Sequence, residues 1–240
     1  MNYLDLLARF GAGSAHPGGF SGTLEQLEQY PIKEGSRILE VGCGTGRTAC
    51  YLSKQGYEVV AVDIRKEMIE KALRRAAADE AEVTFLQADA NELPFADGSF
   101  DVVLAESVTL FAGPRAFKEY NRVLVPGGRL FDRELLLMKE LDAEQAEPIL
   151  TFFGIERLYS PDDWCMAAKQ GGLAEVELWN KSALPDNQWE DTLKHPDFHQ
   201  MFDDDVVVGS AEWEAAAQYE DIMARNRAYL GYGVIIGTKG

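Results

Sequence analysis

Residues 38–46 read Ile-Leu-Glu-Val-Gly-Cys-Gly-Thr-Gly. A short apolar run carries a carboxylate, Glu40, and turns through Gly42, Gly44 and Gly46 toward a helix. Glycines at alternate positions let the backbone pass close to a ligand, with a helix N-terminus beside it. A second acid, Asp63, ends the next apolar run, the place from which ribose hydroxyls are bound in nucleotide-type sites. The dinucleotide fingerprint wants Gly-x-Gly-x-x-Gly, whereas the sixth position here is Arg47 and the third glycine falls one residue early. Glu40 discriminates further, because a carboxylate there repels a pyrophosphate and suits an ammonium. The loop is therefore expected to hold a positively charged nucleoside ligand. Cys43, inside it, reads as a small filler at the ligand and not as a nucleophile.

These residues need elements to hold them. Residues 37–41 read as a buried strand and 46–55 as a helix stopped by Gly56. Residues 57–62 form a second strand, and 66–78 a helix with Met68, Ile69, Ala72, Leu73 and Ala76 at helical spacing. Strands follow at 82–87, 100–105 and 129–137, with a helix over 114–123. Strands alternating with helices predict an α/β, Rossmann-like sheet, mostly parallel and helix-covered on both faces. Ser160-Pro161-Asp162-Asp163 is a helix start, and 174–181 and 232–238 read as sixth and seventh strands. The helix-prone stretches 139–158 and 183–230 are too long for plain connections and read as insertions or a lid. The expected organisation is a cap segment, 1–35, and one domain, 36–240.

A net charge of −17 repels phosphate backbones, so a nucleic-acid substrate is not expected. The densest basic stretch, Lys71 to Arg75, fits one helical turn. No apolar run approaches the roughly 20 residues that span a bilayer, and residues 1–5 lack a signal-peptide pattern. Three cysteines without metal spacing read as reduced thiols, which with the preceding points predicts a cytoplasmic protein.

Five ordered motifs resemble the class I S-adenosylmethionine (SAM)-dependent methyltransferases, in the small-molecule branch related to the ubiquinone-biosynthesis enzymes. They are Glu40 to Gly46, Asp63, Gln87-Ala-Asp-Ala90, Leu93 to Val103, and Pro126-Gly-Gly-Arg-Leu130. The resemblance covers residues 36–137 well and the rest in outline. It implies SAM as cofactor, with S-adenosylhomocysteine (SAH) as product. It further implies a cofactor set of Glu40, Gly42, Cys43, Gly44, Gly46, Asp63, Ile64, Asp89, Ala90 and Glu106, with Asp89 on the adenine. Such folds are often homodimers, although no interface is marked in the sequence.

Methyl transfer from a sulfonium is a one-step displacement, so the protein must align the acceptor, exclude water and take a proton where the acceptor loses one. Glu106 follows the fourth strand, where the resembling enzymes face the methyl. His16 sits in Gly13-Ser-Ala-His-Pro-Gly-Gly-Phe20, in the segment that covers the cofactor in such enzymes, and titrates near neutrality. These are the two catalytic candidates. His195 and His199, four apart, fit one helix face, but Pro196 intervenes and no metal site is expected. Trp164, Trp179, Trp189 and Trp213 read mainly as packing. Phe152, Phe153, Tyr159, Trp189 and Phe198 are pocket candidates by position. The expected acceptor is an oxygen or nitrogen of a small molecule. The alternatives are a SAM-binding module without turnover, an NAD-dependent oxidoreductase, and a methyltransferase acting on protein.

Overall fold

The computed structural model describes residues 1–184, 189–203 and 211–240, with the Trp189 side chain outside the described set. Seven strands form one sheet: β1 (Arg37–Val41), β2 (Glu58–Asp63), β3 (Val83–Gln87), β4 (Phe100–Glu106), β5 (Leu124–Leu137), β6 (Leu173–Ala183) and β7 (Leu230–Lys239). Their order is 3-2-1-4-5-7-6. The first five run parallel, and β7 inserts antiparallel between β5 and β6. β5 starts five residues before the expected Arg129, because its pairing with β4 already begins at Phe100–Leu124 and crosses a bulge.

The strand side chains alternate between two cores. Leu39, Val41, Val60 and Val103 face one; Ile38, Val59, Ala61 and Val102 face the other. On the second face lie α2 (Gly19–Gln29), α3 (Arg47–Lys54) and α4 (Lys66–Asp79). The first face is covered by α1 (Tyr3–Phe10), α5 (Thr109–Ala112), α6 (Ala116–Val123), α7 (Ala143–Phe153), α8 (Pro161–Gln170) and α10 (Ala211–Asn226). A short α9 (Trp189–Lys194) packs on α2. The Ser160 capping box, with Pro161 at the first helical position, starts α8 as expected. Among the described residues no helix is long and apolar enough to cross a membrane.

The first two helices therefore lie on opposite faces of the sheet, and the chain between them, residues 11–18, passes over the C-terminal strand ends. It is clamped there by residues 189–203, which approach from α9. Asp191 accepts from the Phe20 and Ser21 amides at the start of α2 (2.9 and 2.8 Å). Asp197 takes a bidentate pair from Arg75 (both 2.7 Å), and Asp203 pairs with Lys71 and Arg9. Lys71 also donates to the Ala8 carbonyl. Two of the three cations in the densest basic turn thus form a buried clasp: Lys71 and Arg75 are 3% and 2% exposed, while Arg74 faces outward.

Candidate active site

A cavity of about 410 Å³ opens at the C-terminal ends of β1, β2 and β4. Glu40, Gly42, Cys43, Gly44, Asp63, Ile64, Asp89, Ala90 and Glu106 all line it, and so does His16. Gly46 does not. A Cβ there would stand 3.0 Å from Ala72 and from Phe85, so Gly46 serves close packing of the α3 entry at φ +78°. Gly44 is the opposite case: nothing lies within 4 Å of its Cβ position, at φ +53°, and its backbone faces free space. Gly42 is forced by crowding, since a Cβ there would collide with Val108.

Asp63 holds the loop and the ligand wall together. Its Oδ2 accepts from the Gly44 amide and its Oδ1 from the Arg65 amide, both at 2.9 Å. A carboxylate has about four lone-pair positions, so each oxygen keeps one for a ribose hydroxyl. Glu40 is buried, and its Oε2 has no hydrogen-bond partner. Burial, and then the charges of Glu106 and Asp63, push its carboxyl well above the usual range. An orphaned acid of this kind fits the ammonium of a methionine moiety, which would supply both the missing bond and the missing counter-charge. Asp89 orders the next turn by accepting from the Asn91 amide at 2.8 Å. Ile64, 60% exposed, presents an apolar edge beside it.

The two catalytic candidates, remote in sequence, meet. His16 Nε2 lies 3.5 Å from Glu106 Oε2. Thr23 Oγ1 donates to Glu106 Oε1 (2.6 Å) and Thr48 Oγ1 to Oε2 (2.9 Å). Arg133, fully buried behind them, reaches to 3.8 Å of Glu106 and donates to the Gly22 carbonyl at 2.7 Å, tying β5 to α2. Burial alone would raise the Glu106 carboxyl; the charges of His16 and Arg133 and the two hydroxyl bonds outweigh it and hold the group below its ordinary value. Burial lowers the His16 imidazole, with Glu106 opposing and Arg133 reinforcing. The Arg133 charge and the two hydroxyl bonds thus favour an ionised Glu106, while burial disfavours a charge on His16. The neighbours of Arg133 on β5, Asp132 and Glu134, point to the other face. There they receive the Thr109 hydroxyl (3.0 Å) and amide (2.7 Å), which fixes α5 against the cavity. Burial pushes both of these carboxyls up.

The chain from residue 39 to 132 matches the Methyltransferase domain family. Over 238 residues, 99% of both chains, it is 30% identical to the uncharacterized methyltransferase YodH of Bacillus subtilis. The chain belongs to the class I SAM-dependent methyltransferases. A 28% identity to the 27-O-demethylrifamycin SV methyltransferase of Amycolatopsis mediterranei spans 99% of this methyltransferase and 94% of that protein. The fold is shared with the crystal structure of MccD protein, at a TM-score of 0.73 and 17% identity over 95% of this chain and 100% of that one. SAM is accordingly the cofactor, and the nicotinamide alternative falls.

The aromatic pocket candidates are corrected. Phe152 and Phe153 are core residues behind the wall, Tyr159 stacks on Trp164 (4.3 Å), and Phe198 is 87% exposed; none of them lines the methyltransferase cavity. Trp189 was the remaining candidate, and its side chain lies outside the described residues. The apolar wall comes instead from Tyr3, Leu4 and Leu7 of α1 and from Val108, Phe111 and Ala112 at α5. Tyr3, Leu6, Leu7 and Phe10 are spaced as one helix face, the signal that could have revealed α1. His195 and His199 share no helix face, because α9 ends at Lys194; His199 instead bonds Asp79 at 2.6 Å. Of the tryptophans, Trp164 is core and donates to the Leu135 carbonyl at 3.1 Å.

Proposed function

We propose that this methyltransferase moves a methyl group to an oxygen or nitrogen of a small molecule in one displacement, with His16 as proton acceptor and Glu106 as the carboxylate that stabilises the imidazolium so formed. The observation that carries this reading is the His16–Glu106 contact at the wall of a cofactor-sized cavity. When bound, SAM supplies an electrophilic methyl on a sulfonium. The chain's own residues do the rest. Glu40 and Asp63 hold the cofactor's ammonium and ribose, and Asp89, Ala90 and Ile64 frame its adenine.

The acceptor's lone pair forms the new bond to carbon as the carbon–sulfur bond breaks, and the acceptor's proton passes to the imidazole. A proton on Nε2 then sits 3.5 Å from an ionised Glu106. The Pro17 carbonyl, 3.4 Å from Nδ1, holds the ring from behind. Residues 1–35 act as a cap that excludes water from this step. The acid-rich chain works on a small molecule in the cytoplasm and not on nucleic acid.

The test combines His16→Ala and Glu106→Gln with calorimetric SAH titration. Turnover should fall on the order of 10²-fold or more for His16→Ala, the usual contribution of a positioned base, while SAH affinity stays within threefold. Full turnover in both variants would overturn the assignment. A chain that binds SAH and turns over no acceptor in a broad screen would revive the binding-module reading.

A further inference from the structure

The charges around the cavity constrain its second ligand. Four carboxylates line it: Glu40, Asp63, Asp89 and Glu106. Among the described residues Arg65 is the one arginine or lysine in the wall, and its guanidinium is already committed to Asp5 (3.0 Å) and Glu67 (2.7 Å). The nearest other cations are turned elsewhere. Arg133 is sealed behind Glu106, Arg47 donates to the His195 carbonyl (2.6 Å) and covers the Phe20 ring, and Arg75 is held by Asp197 and Thr45. Burial disfavours a charge on His16, and its Nε2 already faces Glu106 at 3.5 Å.

SAM meets this wall as a net cation, its carboxylate being accompanied by an ammonium and a sulfonium. An acceptor's phosphate or carboxylate brings no such compensation. It would be buried unpaired beside Glu106, a placement that proteins avoid. The field of a chain with net charge −17 acts in the same direction on approach. Beyond the acids the wall offers neutral polar groups, among them Ser14, Asn91 and Ser107, and an apolar surface of Tyr3, Leu4, Leu7, Phe111 and Ala112. Tyr3 packs against Phe153 (4.6 Å between ring centroids) and Tyr219 (5.4 Å), which holds its ring at the wall.

Building on the methyl-transfer reading, we infer that the acceptor carries no phosphate, sulfate or carboxylate and presents an apolar or aromatic body to the Tyr3–Leu4–Leu7–Phe111 wall. Discrimination is then built into the site by the absence of a free cation among the described residues of its wall as much as by contacts.

Matched probes isolate the charge. 2-Naphthol and 2-naphthyl phosphate are titrated separately into SAH-saturated protein. The expected result is at least tenfold tighter binding of the neutral probe, weakened at least fivefold by Phe111→Ala. Leu4→Lys, which places a cation in the wall, should improve binding of 2-naphthyl phosphate at least tenfold over the parent protein. Equal or tighter binding of the phosphate by the parent protein, or binding of neither probe, overturns the inference. The preceding SAH titration reads the cofactor site alone, so a failure there strikes the methyl-transfer reading and is distinguished from a failure of the acceptor class.

Discussion

Replacing Asp197 by alanine should release the clamp over the active site, and the size of the effect follows from its geometry. Arg75 on α4 is 2% exposed. Its Nε and Nη2 bond Thr45, and Nη1 and Nη2 each reach an Asp197 oxygen at 2.7 Å. Without Asp197, Nη1 loses its acceptor and the buried charge loses its counter-ion. Breaking a buried pair from one side costs about 3–5 kcal/mol. The Asp197 side chain is 11% exposed, so water reaches the rim and the lower end, about 3 kcal/mol, applies. For a chain of this size that corresponds to a fall in Tm of about 6–12 °C. A double-mutant cycle with Arg75→Met, read by urea unfolding at pH 7, should return a coupling of about 2 kcal/mol or more. Asp197 Oδ2 also lies 2.5 Å from the Cβ position of Gly13, against the loop that carries His16. Amide exchange should therefore accelerate in 11–18 as well as in 189–203. A coupling below about 0.5 kcal/mol, within the additivity error of independent sites, with unchanged exchange in 11–18 would refute the clamp.

Three further outcomes are expected. Glu40→Gln should weaken SAM binding by about 10–100-fold, the worth of a charged hydrogen bond, as read by calorimetry. Because the folded Glu40 carboxyl is raised, its contribution to stability is present below pH 4.5 and lost as pH rises through the folded value, so the ligand-free variant should unfold at a higher temperature than the parent at pH 7. His16 behaves with the opposite pH trend: its folded value is lowered, so the protein loses stability as pH falls below 6.5, and His16→Gln should flatten that limb in urea titrations between pH 5 and 7. Gly46→Ala should lower Tm while leaving SAM affinity within about threefold, since strain at positive φ costs about 1–3 kcal/mol away from the cavity; a selective loss of SAM affinity would return Gly46 to the binding set.

The parallel half of the fold was legible because each piece is a local pattern. The apolar run into Glu40, the glycine turn and Asp63 announce β1, α3 and β2 within a few residues. The sixth and seventh strands were legible in the same way; the clamp over residues 11–18 was not, because its stability comes from partners far away in the chain. Nothing near Arg75 predicts Asp197, and nothing near Lys71 predicts Asp203. His16 and Glu106 were each readable from residue type and place, but their contact depends on the crossing of 11–18 over the strand ends. The pocket aromatics failed for a related reason: Phe152 and Phe153 lie in the expected insertion, yet Tyr3 of α1 occupies the space between them and the cavity.

The strand order also has a consequence for how the chain is made. β7, the last strand in chain order, lies inside the sheet, and β6 reaches the sheet only through it. While residues 230–239 are still unmade, β5 presents an unpaired strand edge and β6 has nowhere to dock, a condition that invites association with other chains. The sheet therefore closes only once residues 230–239 have been made. A truncation that removes β7 should unseat two strands, not one, and leave the first 137 residues as a sheet with a sticky border.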